Sequence, residues 1–216
     1  MKDLIGELKA TTRETGRVET PAGEGHTVCL RRTYPAAIDQ VWDALTTAER
    51  INRWFLPVTG DLRLGGRYQF EGNAGGEVLA CEPPSRLRIS WVMGEPSPKS
   101  FSEVEVRLAT VEGGTLFEME HTATVPPGMW EQFGPGAVGI GWDGALLGLG
   151  LYLRPGGEAG LSDEDKETLL ASDEMREFNT ASSEAWGDAY RAAGASDEAV
   201  AAAVAASTAF YVPPAE

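Results

Sequence analysis

Cysteine, histidine and basic residues are scarce in this chain. Cys29 and Cys81 are its two cysteines among 216 residues, too few and too far apart for a disulfide framework; buried thiols in a reducing compartment are expected. The two histidines, His26 and His121, lie scattered with those cysteines, so the sequence contains no metal ligand set of the zinc type and nothing that calls for a cofactor. Lys and Arg number 18 against 33 Asp and Glu, a net charge of −15. A nucleic-acid partner needs cations to displace counterions from phosphates, so DNA and RNA are excluded as expected partners. Anionic membrane surfaces are excluded for the same reason. Long apolar runs are absent as well. The most apolar stretch, 138–153, spans about 16 residues and contains Asp143, where a membrane helix needs roughly 20. The opening MKDLIGELKATTRETG lacks the apolar run of a signal peptide, and the expected location is cytoplasmic.

What is present is the composition of a soluble globular protein, 42% hydrophobic and 24% charged, long enough for one domain and an appendage. The charge is uneven. Residues 154–216 hold 13 acids and 4 bases, residues 1–153 hold 20 and 14; a solvated acidic face is the expected reading, with a docking surface for a basic partner as the alternative.

Residues 1–25 read as a polar arm that adds a short helix or an edge segment. TVCLRRTY (27–34) is rich in β-branched and aromatic residues and predicts a first strand. Asp39 can cap a helix carrying Val41, Trp42 and Leu45, and Thr47 a second one carrying Ile51, Trp54 and Phe55. Strands with turn punctuation follow. RYQFE places Tyr68 and Phe70 on one face, NAGG (73–76) is a hairpin turn, and LRISWVM places Leu87, Ile89, Trp91 and Met93 together. A loop is expected over 94–100. SEVEVRLA and TLFEMEHTATV alternate, with Val104, Val106, Leu108, Phe117, Met119 and His121 facing inward. Glu103, Glu105, Glu118 and Glu120 face outward as solvated cross-strand partners. A loop, VPPGMWEQFGPG (125–136), exposes Met129, Trp130 and Phe133. It leads to a long apolar helix over about 138–153. Ser162, with acids directly after it, starts a helical extension of three segments, about 162–171, 173–193 and 196–209.

Gly139, Gly141 and Gly144 spell G-x-G-x-x-G, but no βαβ unit surrounds them, so a dinucleotide site is rejected. With Gly148 and Gly150 they burden one helix by about 1 kcal/mol each relative to alanine. Missing side chains admit a closely packed neighbour or leave room for a ligand. Close packing, with the C-terminal helices as partner, is the preferred reading.

Taken together, RRTYPAAIDQVWDALTTAERINRWF (31–55), GDLRLGGRYQFEG (60–72), GGEVLACEPPSRLRISW (75–91) and GAVGIGWDGALLGL (136–149) resemble the START-like, or Bet v 1-like (SRPBCC), superfamily. The chain is most similar to the branch named for the C-terminal domain of the activator of Hsp90 ATPase. The resemblance implies an α+β helix-grip fold, a curved antiparallel sheet wrapped around a long helix with an apolar cavity between them. It divides the chain into an arm (1–25), the START-like domain (26–154) and an acidic helical extension (155–216) on which the family is silent.

The expected function is binding of a small hydrophobic molecule, without catalysis, in that cavity. Expected lining residues are Trp54, Phe55, Tyr68, Phe70, Trp91, Met93, Phe117, Met119, His121, Trp142 and Leu146, with Trp130 and Phe133 covering the mouth and Tyr68, Trp91 and His121 as polar anchors. One rival is a protein-interaction or co-chaperone-like module, with a homodimer or a protein partner held through the C-terminal helices. The other is a polyketide cyclase/aromatase-like enzyme using His121 as its base. For His121 itself, the expected state is a satisfied, neutral core histidine.

Overall fold

A computed structural model describes residues 3–95, 97, 100–157 and 159–213; parts of the expected 94–100 loop lie outside the described residues. Eight strands form one antiparallel sheet. They are β1 (Thr12–Thr20), β2 (Gly23–Tyr34), β3 (Val58–Gly60), β4 (Arg67–Phe70), β5 (Gly75–Glu82), β6 (Arg86–Ser90), β7 (Ser102–Val111) and β8 (Gly114–Ala123), in the order β1-β2-β8-β7-β6-β5-β4-β3. The chain meanders from β3 to β8 and closes on β2, with Val28 opposite His121 and Leu30 opposite Met119. The curved sheet and its helices make an α+β helix-grip fold.

Alternation decides which face is covered. Val28, Leu30 and Tyr34 of β2, Val104, Val106 and Leu108 of β7, and Phe117 and Met119 of β8 are buried. They pack on Ile140, Leu146 and Leu149 of the long helix α5 (Gly136–Leu153). The Tyr34 hydroxyl, fully buried, donates to the Leu146 carbonyl at 3.2 Å and ties sheet to helix. The opposite sheet face carries ion pairs, among them Arg31–Glu118 at 2.5 Å, Arg86–Glu105 at 3.1 Å and Arg88–Glu103 at 3.6 Å.

Several local expectations need correction. Helix α2 (Ile38–Thr46) starts one residue before Asp39, with Ala37 at its N-cap. The Ala37 N–H donates to the Gln40 side chain instead. Thr47 does stand at the N-cap of α3 (Ala48–Trp54), but its side chain makes no capping bond. The first family strand begins at Gly23, not Thr27, because β1 pairs with β2 along its whole length from Thr12↔Arg31 to Thr20↔Gly23. The arm thus supplies a helix, α1 (Leu4–Lys9), and an edge strand.

The extension forms α6 (Asp163–Leu170), α7 (Asp173–Ala192) and α8 (Asp197–Tyr211). Each begins with the same three letters, Ser-Asp-Glu. The Ser162, Ser172 and Ser196 hydroxyls accept from the backbone N–H groups of Asp165, Met175 and Ala199. Asp163, Glu164, Asp165, Asp173, Glu174, Asp197 and Glu198 occupy the three first turns, where the helix dipole favours negative charge. Much of the extension's acidity is therefore helix-terminal chemistry.

α5 is apolar on all sides, and by length and composition it could cross a membrane. Here more than half of it is buried inside the protein, as a helix without a polar face requires. The sheet covers one side, and α7 and α8 lie on the other. The Trp186 indole of α7 rests on Gly139, and the Ser207 hydroxyl of α8 on Gly136.

Candidate functional site

The space between sheet and α5 is largely occupied by rings. Trp91 packs on Trp142 (centroids 4.8 Å apart), Phe70 on Trp91 (5.4 Å), Phe55 on Phe70 (5.1 Å) and Tyr68 on Phe70 (5.3 Å). A void lined by Tyr68, Phe70, Leu87 and Ile89, among others, measures about 40 Å³, room for a few waters at most. The Tyr68 hydroxyl is engaged, donating to the Ser90 carbonyl at 2.6 Å. Phe117, Met119 and Leu146 are core residues. Met93 does not join them. β6 ends at Ser90, the alternation lapses, and Met93 is 64% exposed.

Trp130 and Phe133 do not form a mouth. They belong to α4 (Met129–Phe133), a helix the Pro/Gly-rich sequence did not suggest. Trp130 is buried, stacked on His26 with ring centroids 3.7 Å apart and edge-on to Tyr190. Phe133 meets Phe210 of α8. Both residues sit at the N-terminal end of α5, fastened to the extension.

His121 is buried and bonded at both nitrogens. Its Nδ1 accepts from Trp142 Nε1 at 3.1 Å, which leaves Nε2 to carry the proton and donate to Ser102 Oγ at 2.9 Å. Burial pulls its pKa down to about 4. The unfolded chain therefore takes up a proton that the folded chain refuses between pH 6.5 and 4. The contribution of this histidine is complete above pH 6.5, is lost between pH 6.5 and 4 by about 1.4 kcal/mol per pH unit and about 3 kcal/mol in all, and levels off below pH 4. In H121Q, whose amide can accept from Trp142 and donate to Ser102, urea unfolding between pH 7 and 5 is expected to lose most of this slope. An unchanged slope would assign it to other groups.

A cavity of about 530 Å³ lies on the other side of α5, along its C-terminal half. Its walls come from α3 (Trp54, with Phe55 and Leu56 following), α5 (Leu147, Leu151, Tyr152), residues 154–157 and 160–161, α6 (Leu169, Leu170) and α7 (Met175). Of the sequence-predicted ligand residues it uses Trp54 and Phe55. The Trp54 indole N–H is held by the Ala44 carbonyl at 2.9 Å, which fixes the ring. At Gly148 the Trp54 carbonyl approaches α5 so closely that a side chain would collide. At Gly144 a side chain would meet nothing within 4 Å. One glycine brings α3 and α5 together; the other leaves the cavity open.

Three cations line this cavity, Arg53, Arg154 and Lys166, and no carboxylate does among the described residues. Arg154 Nη2 donates to Glu7 Oε1 at 2.5 Å, while Arg32 Nη2 donates to Glu7 Oε2 at 2.6 Å. Burial raises the Glu7 carboxyl, and the two guanidiniums more than reverse this, so it lies below its ordinary value. Lys166 lies 3.5 Å from the exposed Asp163, a contact worth little in water. Leu147, Leu151, Leu169 and Met175 escaped sequence reasoning because they sit on the face of α5 and in the extension that the helix-grip pattern leaves unassigned. The clue was Gly144 beside Gly148, one helical turn apart.

The family model for "Activator of Hsp90 ATPase homolog 1-like protein" matches residues 35–168. The chain belongs to this family. Comparison with the curated proteins finds no match. Among solved structures, this AHSA1-family chain is similar to CalU16 from Micromonospora echinospora, with 41% identity over 84% of this chain and 99% of that one, TM-score 0.64. Protein MLL2253 from Mesorhizobium loti is 25% identical over 57% and 93%, TM-score 0.51. The Aha1 dimer from Colwellia psychrerythraea, 19% identical over 60% and 97%, TM-score 0.51, shares the fold. The CalU16 alignment covers about 181 of the 216 residues. Only 153 residues precede Arg154, so at least about 28 aligned positions fall in 154–216. Part of the extension is shared with CalU16.

Proposed function

We propose that this AHSA1-family protein binds a small apolar molecule in the cavity between α5 and the C-terminal extension. The observation that carries the reading is the cavity itself. Its volume of about 530 Å³ lies within the roughly 300–1,000 Å³ range of small-molecule sites. Its walls include Trp54, Phe55, Leu147, Leu151, Leu169 and Met175, with few polar groups among them. Apolar surface left open in this way is costly in water and favours an apolar occupant. Engagement of both His121 nitrogens favours binding without chemistry.

The test is titration with a neutral apolar fluorophore, N-phenyl-1-naphthylamine. Saturable binding is expected in the wild type. In Gly144→Leu, whose side chain occupies the cavity, affinity is expected to fall at least tenfold while the thermal midpoint is kept. Equal affinity in the two proteins would remove this cavity from the reading.

A further inference from the structure

Helix α6 lacks what usually holds a short helix in place, a buried apolar face. None of its eight residues is buried, and a helix of that length does not persist in water by itself. Its polar bonds are all local. Ser162 Oγ accepts from the Asp165 N–H at 3.1 Å, Ser172 Oγ donates to the Leu169 carbonyl at 2.7 Å, and Lys166 pairs with Asp163. Among the described residues, the hydrogen bonds and ion pairs of 161–171 close between residues 162 and 172. The two ends of the stretch, by contrast, are fixed. At Gly160 the Arg53 carbonyl fills the place of a side chain, and Met175 at the start of α7 is buried.

What α6 and the residues before it do present is leucine. Leu161, Leu169 and Leu170 all line the cavity. Leu161 and Leu169 are half-buried, and Leu170 is 69% exposed. Their packing partner is replaced by about 530 Å³ of open volume.

We infer that 161–171 is a lid that the ligand completes. An apolar molecule in the cavity supplies the surface these leucines lack and draws α6 down over itself. This rests on the cavity being the binding site. In the empty protein, opening the lid breaks no hydrogen bond to another element and uncovers no buried side chain of α6, so the segment belongs to the low-stability end of the fold. In the filled protein, opening would return leucine and ligand surface to water together. A ligand with that differential affinity shifts the population toward the closed form. Leu170 thereby becomes a binding residue with little part in the empty fold.

The experiment is hydrogen–deuterium exchange read by mass spectrometry on the full-length protein, with and without saturating N-phenyl-1-naphthylamine. Without it, the amides of 165–171 are expected to exchange at least a hundredfold faster than those of 178–187 in α7. Bound fluorophore is expected to slow 165–171 at least tenfold. Leu170→Ser is expected to weaken fluorophore binding at least threefold and to keep the urea midpoint of the wild type. Equal protection of α6 and α7 in the empty protein overturns the lid, as does exchange in α6 that bound fluorophore leaves unchanged. Unchanged affinity in Leu170→Ser, or a lowered urea midpoint, also overturns it. Each of these leaves the cavity reading standing. Absence of fluorophore binding in the wild type, or equal affinity in Gly144→Leu, overturns the cavity reading and this inference with it.

Discussion

Asp143→Asn is expected to lower the unfolding free energy by about 3–5 kcal/mol, the usual cost of removing one partner from a buried ion pair. Asp143 sits in the middle of α5 with its side chain 1% exposed, against an Arg13 side chain 7% exposed. Arg13 contacts it three times, Nε to both oxygens at 3.1 and 3.0 Å and Nη2 to Oδ1 at 2.8 Å. Ser182 Oγ donates to Oδ2 at 2.5 Å and Trp186 Nε1 at 3.0 Å. Burial raises the Asp143 carboxyl, while Arg13, Ser182 and Trp186 pull it back. Every group around it is a donor. An asparagine would turn an amide NH₂ toward this ring of donors and leave the Arg13 charge without a counter-ion. Arg13 also holds the Thr11 and Leu8 carbonyls at 2.7 and 3.0 Å. The same carboxylate thus fastens the arm, the central helix and α7. Urea denaturation at pH 7 reads the loss. The double variant Arg13→Met/Asp143→Leu should recover much of it, since exchanging a whole buried pair for apolar residues is often near neutral. A single-variant loss below 1 kcal/mol would mean that water reaches the pair.

Asp143 also shows where sequence reasoning stops. Its charge in an apolar stretch was plain, but its partner lies 130 residues away in β1, whose sequence TRETGRVET has no apolar alternation to announce a strand. β1 is an edge strand; polar residues on both faces suit it, so an edge segment could be expected in the arm but its bounds and its pairing with β2 could not be read. Strands with one covered face were legible, as in Phe117, Met119 and His121 against Leu116, Glu118 and Glu120, because period two leaves no other reading. Ser162 and Ser196 were equally legible, since a cap is a local device. The position of Met93 was not, because alternation cannot say where a strand stops. The cavity was illegible for a related reason. A helix with no polar face calls for neighbours on more than one side, yet says nothing of which neighbour leaves a gap.

The glycines of α5 turn that ambiguity into a measurement, because two of them should respond to alanine with opposite signs. In Gly139→Ala the new methyl would overlap the Trp186 indole. That ring is 1% exposed and bonded to Asp143, so it cannot swing away without breaking the network. Overpacking a rigid site costs typically 1–3 kcal/mol and occasionally more, and here the helix-propensity gain of about 1 kcal/mol only partly offsets it. A net loss of about 2 kcal/mol is expected, with the Trp186 fluorescence disturbed. In Gly144→Ala the methyl meets open space, so the propensity gain stands alone and the protein should gain about 0.5–1 kcal/mol. Chemical denaturation of the two variants side by side reads both signs. A stabilised Gly139→Ala would mean that α7 is free to recede from α5. A destabilised Gly144→Ala would mean that the cavity is closed against the helix, and the binding proposal would lose its ground.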